Sequence, residues 1–270
     1  MDMHYVPKQW AIGVMVAPRP VETVHETLYC LSTSWGLKDV TAFCEPGEYR
    51  FTGCRTVMRP ETIAPKRYLE SPEGRFGNFQ NWLQTAADLL EQSPDADVYM
   101  IVEDDARITR HCRSVVEDHL WPSSDCGCVS LYSPNMGAWL HGRGLIRPSR
   151  VDVVGALAMA FPGSVLRRMI EDPSIPKWGG SHAQVRAGHV EPWERKAVDT
   201  WVGRTLHSMH RTFWSFVPSL VQHFCPVLGR SNSSMGHGAG VGCRREAVWA
   251  GLDCPTMSHL YCPRAKVFIE

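Results

Sequence analysis

The chain has 270 residues, of which 44% are hydrophobic and 21% charged, the balance of a folded globular protein with room for a large core. Lys plus Arg and Asp plus Glu are equal at 28 each, which removes any global electrostatic case for nucleic acid or an anionic membrane as an obligatory partner. No stretch approaches the roughly 18 to 20 uninterrupted apolar residues of a bilayer span, and the start, Met-Asp-Met-His-Tyr-Val-Pro-Lys, lacks an apolar signal core, so a cytoplasmic setting is expected.

Residues 10–16 form a near-continuous apolar run that stops at Ala17-Pro-Arg-Pro, the pattern of a central strand followed by a turn. Residues 23–34 carry Val24, Thr27, Leu28 and Leu31 at helical spacing, with Thr27 counted in the apolar set and Gly36 as the stop. Residues 40–44 read as a second strand, ending before Glu45-Pro-Gly. A strand, helix, strand unit needs a crossover, and a right-handed crossover gives parallel pairing.

From 50 to 77 the pattern weakens, so loops are expected with one short strand at 56–58. Residues 78–90 are an amphipathic helix with Phe79, Trp82, Leu83, Ala86, Leu89 and Leu90 on one face. The buried strand starting at Val98 ends abruptly in Glu103, Asp104 and Asp105. Further strands are expected at 128–132, at 151–161 with Gly155 marking a close backbone approach, and at 213–217. Helices are expected at 164–171, capped by Gly163 or Ser164, and at 194–209, with Val198, Trp201, Val202 and Leu206 inward. Residues 173–188 read as a loop, and 231–242 are too glycine-rich for regular structure. The pattern predicts a single α/β domain over 1–270.

The 10 cysteines favour free thiols in a cytoplasmic setting. Cys126 and Cys128 are too close for a common zinc knuckle, and Cys225, Cys243, Cys254 and Cys262 are irregularly spread, so buried or surface thiols are favoured over a structural zinc.

Glu103, Asp104 and Asp105 are the first chemical constellation. Nothing apolar follows to bury them, which places them at the carboxyl end of a strand, where open α/β sheets bind ligands. If the strand ends near Val102, alternation sends Glu103 and Asp105 to one side and Asp104 to the other. Clustered acids repel unless a cation joins them, and hard oxygens suit Mg²⁺ or Mn²⁺ carrying a phosphorylated substrate. A solvated acidic turn explains the acids equally well.

The strand ending in Glu103-Asp-Asp, set after a first strand ending in Pro-Arg-Pro, resembles the GT-A glycosyltransferases, whose acidic motif binds a metal and a nucleotide-sugar diphosphate. Lys196-Ala-Val-Asp-Thr-Trp-Val-Gly203 is similar to the helix start that carries the catalytic carboxylate of inverting members. Pro218-Ser-Leu-Val-Gln-His223 followed by Ser231-Asn-Ser-Ser is similar to the ending of N-acetylglucosaminyltransferase-like enzymes, although the expected glycine after His223 is replaced by an insertion from Phe224. The resemblance runs in order over about 10–237. It implies a GT-A-type Rossmann-like mixed sheet flanked by helices, with a nucleotide-sugar half over about 10–110 and an acceptor and catalytic half over about 111–270.

It also implies inverting transfer of a sugar from a nucleotide diphosphate donor, a UDP-sugar being the first expectation, to a hydroxyl acceptor. Asp199 is the expected base, with Glu191 and Glu194 as competitors and a helix-start acid favoured by the macrodipole as the plain alternative. Glu103, Asp105 and His223, or His237 in its place, are expected at the metal. Arg19, Glu45, Asn78 and Asp104 are expected on the nucleotide side, against a solvated arginine and a helix cap as the plain readings of Arg19 and Asn78. Trp178, Gly179 and Gly180 lie in a loop that could close over substrates.

A saccharide is the default acceptor. A hydroxymethylated base in phage-type DNA is the alternative, with Arg143, Arg147, Arg150, Arg167, Arg168, Arg244 and Arg245 as possible phosphate contacts. Two rivals come from other classes. A nucleotidyltransferase would usually show a glycine-rich basic loop after the first strand, which Ala17-Pro-Arg-Pro is not; a non-catalytic sugar-binding module would need no acids.

Overall fold

Strand β1 (Trp10–Val16) is buried along its whole length, as a strand covered on both faces must be. It is the centre of a computed structural model that describes residues 8–17, 23–45, 47–59, 78–110, 112–132, 144–146, 155–172, 198–217 and 219–223. The other elements in chain order are α1 (Val24–Ser34), β2 (Val40–Cys44), β3 (Arg55–Met58), α2 (Asn78–Gln92), β4 (Val98–Glu103), β5 (Ala106–Ile108), α3 (Cys112–Glu117), β6 (Cys126–Ser130), β7 (Gly144–Ile146), β8 (Ala158–Pro162), α4 (Gly163–Ile170), α5 (Val198–Ser208), β9 (Thr212–Val217) and β10 (Val221–His223).

Eight strands form one mixed sheet in the order β3-β2-β1-β4-β8-β6-β9-β7, and β5 pairs with β10 in a small separate sheet. β3, β2, β1 and β4 run parallel, β8 runs against β4, and β6 and β9 are parallel to each other. The fold is α/β, a Rossmann-like mixed sheet flanked by helices, as its sequence predicts. Chain order runs outward from β1 through β2 to β3, then returns to place β4 on β1's other side. That reversal makes the carboxyl ends of β1 and β4 a topological switch point, the crevice where open α/β sheets bind ligands.

The two faces of the sheet build two cores. Ile12, Val14 and Val16 pack with Val24, Leu28 and Leu31 of α1, while Ala11 and Met15 face the side covered by α2, α4 and α5. Trp82 of α2 meets Phe161 of β8 and Trp201 of α5 edge to face, with ring centroids 5.7 and 5.5 Å apart. Gly13 lets α2 approach: a Cβ there would lie 2.6 Å from Thr85 Cγ2 and 2.9 Å from Leu89 Cδ1. Gly36 ends α1 at φ 82°, where its N–H reaches the Leu31 carbonyl.

Several boundaries differ from the sequence expectations. The strand expected at 128–132 starts earlier, at Cys126, and ends at Ser130, with a bulge between Cys126 and Cys128. The bulge is local: Gly127 lies against Leu206 and Arg211, where any side chain would clash. Of the strand expected at 151–161, residues 151–154 lie outside the described set and only 158 onward is strand, because Gly155 sits at φ 85° beneath the Tyr132 ring. Pro162 occupies the N-cap position of α4 in place of Gly163 or Ser164. The start of the helix expected at 194 lies outside the described residues, which show it from Val198.

The largest correction is at the acids. Alternation stops at Glu103, and Asp104 and Asp105 form a turn that leads at once into β5. An apolar strand does follow the acids, since Ala106 and Ile108 are both fully buried. Asp104 and Asp105 are buried too, each 2% exposed, so the turn is not a solvated one.

Candidate functional site

The site is built where the carboxyl ends of β1, β2 and β4 come together. Met15 stands beside Glu103 in the parallel register, and Met15 belongs to the core under α2 and α5. Register neighbours share a face, so half-buried Glu103 is on the α2 and α5 side of the sheet. Its backbone N–H donates to the Leu157 carbonyl at 2.9 Å, tying it to the chain entering β8.

Asp104 turns back toward β1, where its Oδ2 accepts the Ala17 N–H at 3.0 Å. The turn is held from the α1 side by Thr27, which is fully buried. Its hydroxyl donates to the Asp104 carbonyl at 2.8 Å and accepts the Ala106 N–H at 3.1 Å, closing over both ends of the turn. On the neighbouring strand, burial pushes the Cys44 thiol up to about 12, with Cys54 and the Asp104 charge adding and Arg59 opposing. Glu45 follows it, 5% exposed, with its N–H on the Val16 carbonyl at 2.8 Å.

The segment 219–223 returns to the same place from a distant part of the chain. Ser219, 1% exposed, donates to the Leu131 carbonyl at 3.1 Å, and Leu220 is fully buried. β10 then pairs antiparallel with β5, setting His223 opposite Ala106, the residue after Asp105. The pairing therefore sets the His223 backbone one residue along from Asp105, while Glu103 stands two residues before Asp105 at the end of β4. Arg107, in the same small sheet, is 8% exposed and holds Glu26 of α1 with Nε to Oε1 at 3.2 Å.

Asp199 stands in the first turn of α5, with Oδ2 accepting the Gly155 N–H at 2.7 Å and Oδ1 accepting the Thr200 N–H at 2.8 Å. Gly155 precedes by two residues Leu157, whose carbonyl takes the Glu103 N–H. Asp199 and Glu103 are thus tied to one short segment at one edge of the sheet, a chain span of roughly 7 Å. The Tyr132 ring packs on Gly155 so closely that a Cβ there would lie 2.5 Å from Cδ1 and Cε1. Aspartate, glycine and tyrosine form a second cluster beside the acidic turn.

Asn78 begins α2, and its side chain, like that of His223, lies outside the described residues. Arg19, Trp178, Gly179, Gly180, Glu191, Glu194 and His237 also lie outside them. Thr27, Arg59, Arg107 and Tyr132 were not singled out by sequence reasoning as site residues. Arg59, 5% exposed at the end of β3, donates to Asn81 Oδ1 at 3.3 Å and Thr85 Oγ1 at 3.1 Å, pairs with Asp88, and lies 4.8 Å over the Phe43 ring. The signal for it was present in α2, where polar Asn81, Thr85 and Asp88 recur at helical spacing beside an apolar face.

Among the described residues no three His, Cys, Asp or Glu side chains form a metal-binding group. Mg²⁺ and Mn²⁺ need no complete protein cage, because they are commonly held by one or two carboxylates plus substrate phosphates and water. The carboxylates of half-buried Glu103 at the end of β4 and of buried Asp105 on the turn, with the His223 backbone opposite Ala106, are hard oxygen donors of the kind that mode uses. Cys126 and Cys128 do not join such a set: they pack into opposite cores, and burial pushes Cys126 up to about 12 and raises Cys128 as well.

No protein-family model matches the sequence, and no curated protein matches it. Among solved structures, a cytidylyltransferase from Leptospira borgpetersenii is 12% identical with a TM-score of 0.41, over 77% of this chain and 76% of its own. A CMP:2-keto-3-deoxy-manno-octonic acid synthetase complexed with CTP is 10% identical with a TM-score of 0.40, over 77% and 89%. A mannose-1-phosphate geranyltransferase from Thermus thermophilus is 11% identical with a TM-score of 0.42, over 77% and 73%.

Proposed function

We propose that the protein is a metal-dependent glycosyltransferase that moves a sugar from a nucleotide diphosphate donor, a UDP-sugar first, to a hydroxyl acceptor with inversion. The observation that carries this reading is the divided pair of carboxylate centres at one sheet edge: Glu103 with Asp105 on the turn after β4, and Asp199 across the Leu157 to Gly155 segment. Two acid centres with separate environments suit a reaction in which one place handles a departing diphosphate and another handles a proton.

In this mechanism Glu103 and Asp105, with His223 beside them, would hold Mn²⁺ or Mg²⁺. When bound, the ion supplies Lewis-acid stabilisation of charge on a phosphate. Glu45, with Arg19 and Asn78, would hold the nucleotide, while Asp104, expected on the same side, gives an oxygen to the Ala17 N–H. Asp199 takes the proton of the acceptor hydroxyl as it attacks the anomeric carbon, and the two N–H groups on its oxygens fix its orientation. A saccharide is the acceptor by default.

The test is a hydrolysis screen over UDP-, GDP- and other nucleotide sugars with Mn²⁺, repeated with EDTA and with Asp105→Asn. Metal-dependent release of nucleotide diphosphate, lost in the variant with the fold intact, is the expected result. No turnover of any donor with metal present, or pyrophosphate release from a nucleoside triphosphate and a sugar phosphate instead, would sink the reading; the second outcome would make the protein a nucleotidyltransferase.

A further inference from the structure

Thr27 and Asp104 both fix the acidic turn, and neither needs to touch a ligand to do so. Thr27 sits inside α1 with its hydroxyl between the Asp104 carbonyl, at 2.8 Å, and the Ala106 N–H, at 3.1 Å. These two backbone groups bracket Asp105. The Asp104 side chain points away along the turn to the Ala17 N–H, 3.0 Å distant at the end of β1. Thr27 and Asp104 are 0% and 2% exposed; both Thr27 bonds are buried and made without competing water, and the Asp104 bond is partly buried.

From this geometry we infer that Thr27 and Asp104 are positioning residues forming a clasp that sets the angle at which Asp105 and Glu103 are presented. The inference rests on the metal reading of the turn. It also divides the three acids by role: Asp104 acts through an acceptor oxygen on Ala17, while its neighbours act through charge. A hydroxyl on a helix thereby orients a carboxylate turn on a sheet, as outer partners orient the ligands of a metal. Charge at Asp104 is dispensable in this scheme; an acceptor oxygen is not.

The test measures Mn²⁺ binding to the full chain through the EPR signal of free Mn²⁺, below the unfolding temperature of each variant, with thermal unfolding recorded without metal. Thr27→Val keeps the shape and removes the hydroxyl, and it is expected to weaken Mn²⁺ binding roughly 10- to 100-fold, with Thr27→Ser restoring it to within about threefold. Asp104→Asn keeps an oxygen for the Ala17 N–H and is expected to stay within about threefold of the parent, whereas Asp104→Ala falls with Thr27→Val. Asp105→Asn loses binding. A Thr27→Val protein that binds Mn²⁺ like the parent overturns the clasp and leaves the metal reading standing. Asp104→Asn falling as far as Asp105→Asn overturns the division of roles, because it makes Asp104 a ligand. A parent chain that binds no Mn²⁺ removes the metal reading and the clasp together. Should Thr27→Val fail to fold, the two Asp104 variants decide the matter alone.

Discussion

Asp199 combines two duties that substitution can separate. Its Oδ2 fixes Gly155, a residue at φ 85° pressed against Tyr132, and the same carboxylate is the proposed proton acceptor. Asp199→Asn keeps an oxygen for the Gly155 N–H, sets an NH₂ group against the Thr200 N–H and loses the basicity, so transfer is expected to fall roughly 10²- to 10⁴-fold, the usual worth of a general base, with a stability loss of about 1 kcal/mol. Asp199→Ala loses the oxygen as well and is expected to cost about 1–2 kcal/mol of stability in addition. Kinetics and melting curves of the two variants together check this; an Asp199→Asn enzyme at parental rate would pass the base role to Glu191 or Glu194. Cys44 gives a second test at this scale, one of pH. An acid whose pKa is pushed to about 12 from 9.0 stays neutral across the physiological range, so at pH 8 its thiolate is roughly 10³-fold scarcer than that of an ordinary thiol. Site-resolved alkylation should find Cys44 inert in the folded protein and reactive after unfolding. Rapid labelling of Cys44 at pH 8 in the native state would contradict the burial of the β2 end.

Helix α2 is the element whose placement the site depends on most, and it is held by two different devices. Gly13 lets it approach β1, and Arg59 reaches across from β3 to Asn81, Thr85 and Asp88. Arg59→Met removes a buried charge from half-buried Asp88 and strands Asn81 and Thr85, and a loss of about 1–3 kcal/mol is expected by chemical denaturation. Gly13→Val overpacks the same contact from the other side, at about 1–3 kcal/mol. Unchanged midpoints would mean that α2 is not anchored there. The apolar face of α2 was fully legible, since Phe79, Trp82, Leu83, Ala86, Leu89 and Leu90 recur with the helical period and all are buried. Its polar partner was not, because Arg59 belongs to a stretch of weak pattern whose contact with α2 is non-local. The same physics hid Thr27, whose spacing matched the apolar set although its hydroxyl holds the acidic turn. Strands of three residues such as β5 and β10 are too short to show alternation, so the burial of the Asp104–Asp105 turn that leads into β5 could not be read from the acids themselves.

At the scale of the whole molecule, the parallel half was legible because β1, α1 and β2 alternate periods in chain order, while the antiparallel half was not, because β8 enters beside β4 from a distant part of the chain. That insertion has a thermodynamic consequence. β4 is paired with β1 on one side and with β8 on the other, from Val98 opposite Pro162 to Val102 opposite Ala158. Trp82 adds a side-chain bridge, packing from α2 of the first half onto Phe161 and Trp201 of the second. Division near residue 110 would therefore cut through a continuous sheet and a shared core. The stretches before and after residue 110 are expected to unfold as one cooperative unit, with thermal transitions by far-UV circular dichroism and by tryptophan fluorescence coinciding. A fragment of residues 1–110 should fail to fold alone, since it bares β4 along its whole β8 edge together with the Trp82 surface. Two separated transitions in the full chain, or a fragment with a cooperative melt of its own, would show that the sheet carries an internal boundary at β4 and that the two acid centres are held on independent supports.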